Sequence, residues 1–361
     1  MKKVLIINPI LYTNEQKIVR KINSIKDCMI IDLCNAFVDM GYDTTLVAAE
    51  DYKPITDEQY KFNVVWLRSY FKRIFTPNKI PCNLGLRRYL KNNKYDLIIS
   101  SEVFSIDTFI AVKSNKSNLI IWQEMAFHQK MAKQMASKFW HNVIVKLFYR
   151  NIRIVPRTDN AKKFISQYCS NVSDQVIQHG INLDKFNACL DKNETFIVSS
   201  QLIERKQIHK IITEFADFKK YNSNNYKLIV AGDGDQKNKL IALCKDLKVD
   251  DSVLFMGKLP HKDLVKYLSK AKAMLIYTKK DNSMISIAES IAVCTPVITT
   301  SVPDNSIVVQ DNKIGIVDDQ WNWESLKYIV DNNDEFVNNC YMYRSNLDNK
   351  YNVKQFIKEI S

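Results

Sequence analysis

The sequence predicts an α/β protein made of two Rossmann-like doubly wound domains that face each other across a cleft. Three observations carry this expectation. Apolar runs of strand length alternate with amphipathic helical stretches along the chain. The alternation breaks once, at the polar bridge "NACLDKNET" after "VIQHGINLDKF", and restarts with "FIVSS". The 361 residues, 46% of them hydrophobic, are enough for two ordinary cores.

In the first half, strands are expected at Val4–Asn8, Thr44–Ala48, Val64–Arg68, Leu97–Ser101, Leu119–Trp122, Ile152–Pro156 and Gln175–Gln178. The opening "MKKVLIINPILY" has the basic start of a signal peptide. Its apolar run ends at Asn8-Pro9 after Val4–Ile7, which fits a buried first strand better. The pattern "IKDCMIIDLCNAFVDMG" reads as a helix closed by Gly41. In the second half "FIVSS", "YKLIVAG", "SVLFMG", "AMLIY" and "PVITT" are strands, with helices between them, the first from about Lys206 to Lys219. The boundary falls near residue 190. Residues 1–190 form the first domain, 191–345 the second, and 346–361 a helix returning toward the first domain. No apolar window is long enough to span a membrane.

Charge is uneven. Residues 1–190 hold 28 Lys+Arg and 16 Asp+Glu, whereas the remainder hold 24 and 23. Within 61–163 there are 20 basic and 5 acidic side chains, a field that fits an anionic partner. No zinc motif, RNP-type aromatic pattern or helix-turn-helix supports nucleic acid, which leaves an anionic membrane surface. The eight cysteines lack C-x-x-C spacing and read as reduced core residues of a cytoplasmic protein.

Gly232 and Gly234 in "VAGDGD" predict a tight turn where backbone approaches something closely. There is no dinucleotide fingerprint and no P-loop. The five histidines, at 128, 141, 179, 209 and 261, have no H-x-x-x-H spacing, so no metal site is expected, and they do not cluster near the carboxylates discussed next.

The stretch "KDNSMISIAES" puts Asp281 at the mouth of a strand and Glu289 inside an apolar helix. The amides of Ser283, Met284 and Ile285 fall at that helix's N-terminus, where they and the helix dipole favour a diphosphate. Asp281 reads equally as a helix cap. Glu289, set among Met284, Ile285, Ile287, Ala288, Ile291 and Ala292, needs a donor partner, and two ribose hydroxyls would serve.

An acidic residue, seven residues, Glu, and then "CTPVITT" resemble the family-four glycosyltransferases of GT-B fold (glycosyl transferases group 1). "VIQHGINLDKF", "FIVSSQLIERKQIHKIITEF", "LIVAGDGDQKNKL", "VLFMGKLPHKDLVKYLSKAKAMLIYT" and "IGIVDD" follow in the family's order. The resemblance covers residues 175–320 well and the first half in outline. It implies retaining, metal-independent transfer of a hexose-type sugar from a nucleotide diphosphate to a glycan or lipid-linked acceptor, as in bacterial surface polysaccharide assembly. No cofactor is implied. By the same resemblance residues 1–190 would bind the acceptor and 191–345 the nucleotide sugar, with Asp281 contacting the donor sugar and Glu289 the ribose. Lys206 would hold the diphosphate, with Gln201 at the family's arginine position and Arg205 beside it. Lys258 and Leu259 would border the base. At the end of "LIIWQEMAFHQ", Glu124 is the favoured acceptor-side group and His128 the second choice. The family usually has Glu where Asp281 stands and glycine where this chain has Asn-Ser-Met at 282–284. A sugar-nucleotide epimerase and an inactive nucleotide-sugar-binding relative are the alternatives.

Residues 129–150 carry Met131, Met135, Phe139, Val143 and Leu147 in one row and Ala132, Ala136, Trp140, Ile144 and Phe148 in the next, flanked by lysines. This predicts an amphipathic helix that either packs in the core or docks, with "RSYFKRIF", on anionic lipid.

Overall fold

The computed structural model describes residues 1–12, 19–26, 28–114, 117–127, 129–222 and 225–360. The chain forms two compact units, residues 1–182 with 349–361, and 183–348.

The first unit holds a six-stranded parallel sheet of β1 (Lys3–Ile7), β2 (Asp43–Ala49), β3 (Asn63–Leu67), β4 (Leu97–Ser101), β5 (Leu119–Gln123) and β6 (Arg153–Pro156), in the order β3-β2-β1-β4-β5-β6. The strands are apolar at consecutive positions because both faces are covered. Val4, Ile6, Leu46, Leu97, Ile99 and Ile120 fill one side. Leu5, Ile7, Val47, Ile98, Ile121 and Ile154 fill the other. The helix Met29–Asp39 buries Ile30, Leu33, Cys34 and Phe37. It stops where Gly41, at φ +86°, lets the Tyr42 amide reach the Phe37 carbonyl and the Gly41 amide reach that of Val38.

The second unit repeats the plan with β7 (Thr195–Ser199), β8 (Lys227–Ala231), β9 (Val253–Gly257), β10 (Ala273–Leu275), β11 (Val297–Thr299) and β12 (Gly315–Val317), ordered β12-β11-β10-β7-β8-β9. Counted from the start of each unit, both sheets run 3-2-1-4-5-6. The order reverses between β1 and β4 in one unit and between β7 and β10 in the other. In open parallel sheets of this kind, loops at the carboxyl ends of the two strands flanking the reversal diverge and leave room for a ligand.

Three expectations are corrected. Gln175–Gln178 is not a strand. Ile154 bridges to Val172, and beyond it the Gln178 carbonyl accepts from the Asn352 side chain and the Ile177 carbonyl from the Trp122 indole. Side chains therefore occupy these two carbonyls, and among residues 175–178 only the Ile177 amide meets the sheet, at the Pro156 carbonyl. The boundary lies at Asn182/Leu183 rather than near 190. The following stretch belongs to the second unit because Arg344 donates to the Phe186 carbonyl and the Cys189 amide to that of Val293. The 129–150 stretch is not one α-helix. It comprises Met135–Phe139, a π-helical segment Trp140–Val145, and Lys146–Phe148. Trp140 packs edge-on against Phe104 and Phe109, while Met135, Phe139 and Leu147 face outward.

The helix Asn349–Lys358 belongs to the first unit. Phe356 stacks on Phe37 and meets Trp122 edge-on, and the Glu359 carboxylate just beyond the helix accepts from Arg153 Nε and Ser173 Oγ, each at 2.7 Å. Six cysteines are buried; Cys28 and Cys189 are half-buried, so not all are core residues. Among the described residues no helix is long and apolar enough to cross a membrane.

Candidate active site

The reversal between β7 and β10 brings together residues far apart in sequence. β7 leads through a short 3-10 turn, Glu204–Lys206, to Gln207, a non-glycine residue at φ +44°, and then to the helix Ile208–Tyr221. β10 leads to Thr278 and Asp281. Asp281 Oδ2 accepts from Lys206 Nζ at 2.5 Å and Thr278 Oγ1 at 3.0 Å, and lies 3.1 Å from Arg205 NH1. Arg205 also donates to the Lys280 carbonyl at 2.6 Å. Burial pulls the Lys206 ammonium below its ordinary pKa, and Asp281 opposes the shift. Two cations thus converge on one carboxylate where the sheet order reverses, and a backbone outlier at Gln207 adjoins them.

Asp281 is not a helix cap. The helix Ile285–Ala292 starts after Met284, whose amide donates to Asn305 Oδ1 at 2.9 Å while Asn305 Nδ2 returns a bond to the Met284 carbonyl. This also corrects the expectation for Met284, since its amide is already occupied. Ser283 and Ile285 flank it, both exposed. Glu289 has the donor that its apolar setting demands, and that donor is His261: Nε2 lies 2.8 Å from Oε1, with the carboxylate side chain 13% exposed. The histidines are not expected to cluster near the paired carboxylates; the structure places one of them, His261, against Glu289. His261 and Glu289 sit on different helices, and their spacing in sequence gives no sign of the contact.

Gly232 and Gly234 do allow a close approach, to the chain itself. A Cβ at Gly232, where φ is +144°, would sit 1.8 Å from the Ser200 carbonyl oxygen. One at Gly234 would sit 2.3 Å from that of Leu202. The two glycines seat the turn after β8 against the loop that leads to Lys206. Gln201 and Lys258 are exposed. Leu259 lines a pocket of about 520 Å³ with Asn193, Thr195, Asp263, Tyr267 and Lys270, which includes none of the Asp281 cluster. A void of only about 10 Å³ touches Ser200, Lys206, Thr278 and Met284.

In the first unit, Glu124 follows β5 and pairs with Arg157 at 2.9 Å. Arg157 is the residue that sequence reasoning missed, along with Glu102 and His179, which complete its surroundings. The only hint was a charged residue directly after the apolar run "IRIVP". His128 lies outside the described residues. Among the described residues no group of three or more His, Cys, Asp or Glu is placed to hold a metal ion.

Residues 182–332 match the family model for glycosyl transferases group 1. The chain is 25% identical over 207 residues to the alpha-monoglucosyldiacylglycerol synthase of Streptococcus pneumoniae, covering 53% of this chain and 45% of that protein. It is 27% identical over 186 residues to the O-antigen chain mannosyltransferase RfbU of Salmonella typhimurium, covering 50% and 51%. The chain thus spans about half the length of these curated relatives. The Anabaena protein Alr3699/HepE, solved in complex with UDP, aligns over 99% of both chains at 12% identity with a TM-score of 0.66. Each sheet has the Rossmann-like plan of the GT-B fold, and residues 182–332 match the family model for glycosyl transferases group 1.

Proposed function

We propose that the protein is a glycosyltransferase that moves a hexose-type sugar from a nucleotide diphosphate to a glycan or lipid-linked acceptor, with retention at the anomeric carbon and no metal ion. The observation that carries this reading is the Lys206–Asp281–Arg205 cluster at the β7/β10 reversal, inside the segment that matches the family. Without donor, both cations rest on Asp281. An incoming diphosphate competes for them, which frees the carboxylate to take a sugar hydroxyl. Lys206 and Arg205 then neutralise charge that grows on the leaving diphosphate. Glu289, held by His261, faces the ribose. Glu124, or His128, serves the acceptor. The UDP complex of the Anabaena protein supports a UDP-type donor, and the named activities of the two bacterial relatives support a role in glycolipid or surface polysaccharide assembly.

A screen of UDP-, GDP- and ADP-sugars by thermal shift tests the donor site. A donor at 100 times its Kd adds ~2.7 kcal/mol of stability. One class should raise Tm in the natural protein and not in Lys206→Ala. No shift with any of them sinks the reading.

A cytoplasmic protein docked on the anionic inner face of the cell membrane completes the proposal. Phe71, Ile74, Phe139 and Leu147 are exposed beside Lys72, Arg73, Lys138 and Lys146, and each basic residue near such a surface adds about 1 kcal/mol. Sedimentation with anionic but not neutral vesicles is expected, and equal behaviour with both would remove this part. A sugar-nucleotide epimerase is the second reading, favoured by the His261–Glu289 pair. Interconversion of a nucleotide sugar without any acceptor would establish it over transfer.

A further inference from the structure

The β1/β4 reversal of the first unit carries a charged cluster of its own, centred on Arg157. The guanidinium is 6% exposed. NH1 donates to Glu124 Oε2 at 2.9 Å and to His179 Nε2 at 2.7 Å. NH2 donates to Ser101 Oγ at 3.2 Å, and that hydroxyl donates to the Asn8 side chain. The indole of Trp122 lies under the guanidinium carbon, 3.9 Å from its centroid. Glu102, a non-glycine residue at φ +67°, accepts the amides of Glu124 at 2.7 Å and Met125 at 3.3 Å. The five elements that supply these groups are β1, β4, β5, β6 and the irregular stretch before Ile181.

The side chains differ in what they leave to solvent. Arg157 commits NH1, NH2 and its π face to four partners, its buried Nε has none, and its side chain is 7% exposed; the Glu124 side chain is 37% exposed. The cluster therefore presents a carboxylate whose charge is balanced from below. Such a group accepts hydrogen bonds from hydroxyls and offers no cation to a phosphate.

We propose that Arg157 is a positioning residue that holds Glu124 ionised and aimed, so that Glu124 receives an uncharged, hydroxyl-bearing part of the acceptor. This rests on the reading above that the first unit binds the acceptor. Glu102 fixes the backbone of Glu124, and its own ionisation is the counterpart. Burial, opposed by Arg157 and reinforced by Glu124, pushes the Glu102 carboxyl up to about 7. Burial also raises the Glu124 carboxyl, but the charge-assisted bond from Arg157 overcomes it and holds the carboxyl below its ordinary range. His179 itself is kept neutral by burial and by Arg157, so its Nε2 accepts from the guanidinium. Between those limits the two carboxylates share one proton, and Arg157 decides that it resides on Glu102.

The test is a carbon-13 titration of the full chain labelled at the glutamate carboxyls, with the Glu124 signal identified by its loss in Glu124→Gln. In the natural protein Glu124 should still be ionised at pH 4, where an ordinary glutamate is mostly protonated. In Arg157→Met its midpoint should rise by at least one pH unit. If that variant does not fold, Arg157→Gln is read the same way. An unmoved midpoint in a folded variant, or a natural Glu124 that titrates in the ordinary range, overturns the proposal. No substrate is present, so an unshifted Glu124 leaves sugar transfer untouched. Equally, a failed donor screen leaves the titration result standing.

Discussion

Replacing Lys206 and Asp281 singly and together measures what their contact contributes. The two side chains are 10% and 15% exposed and meet at 2.5 Å. At an effective dielectric constant near 20, unit charges at that distance attract by ~7 kcal/mol. Desolvation of both ions cancels most of this, which leaves a coupling of ~2 kcal/mol. The single costs should be unequal. Lys206→Met leaves Asp281 with Arg205 at 3.1 Å and the Thr278 hydroxyl at 3.0 Å, so about 1 kcal/mol is expected. Asp281→Ala strands a buried ammonium and should cost about 3 kcal/mol. The assay is urea unfolding of the full chain, followed through the transition of the second unit, which carries Trp321 and Trp323. A coupling below ~0.5 kcal/mol, or equal single costs, would mean that the ion pair is not desolvated and that the reasoning about a donor-competing site fails.

Two further outcomes follow from the same geometry. Because the Glu102 carboxyl is raised to about 7, the stability it confers is complete below its ordinary value and is lost as pH climbs through 7. Glu102→Gln cannot ionise, so it should flatten Tm between pH 5 and 8 by an amount equivalent to ~2 kcal/mol; an unchanged slope counts against the assignment. Gly232→Ala should cost more than ~3 kcal/mol because its new Cβ would strike the Ser200 carbonyl at 1.8 Å. Gly41→Ala, at φ +86° with open space around it, should cost only ~1 kcal/mol, and similar Tm losses for the two would contradict the clash.

The fold was legible because buried parallel strands are apolar at every position, as in "VLII" and "LIVA". Lys206 and Asp281 were legible for a related reason: each follows such a run, at the end of a strand where a ligand site forms. Glu289 stood out as a charge among apolar neighbours. The Glu102–Glu124–Arg157–His179 cluster was not legible, since its members come from four loops and only the sheet order brings them together. His261 was hidden in the same way. In "VIQ" the apolar pair Val176-Ile177 mimicked a strand, but Ile177 bonds the Trp122 indole and the Pro156 carbonyl, and Gln178 the Asn352 side chain. The rows spaced by four over 131–147 run ahead of a 3.6-residue turn. The π-helical segment at Trp140, with its wider i→i+5 bonds, takes up the surplus.

The return of residues 349–360 to the first unit has a consequence for biosynthesis. The strands of that unit have all been synthesised once Pro156 is made, yet Phe37 and Trp122 await Phe356, and Arg153 awaits Glu359. The intervening stretch, residues 183–348, takes roughly 8–33 s to translate at about 5–20 residues per second. Through that interval the nascent amino-terminal sheet carries an uncovered aromatic flank, while the contiguous second unit can close first. The first unit therefore cannot be completed until the second has been synthesised.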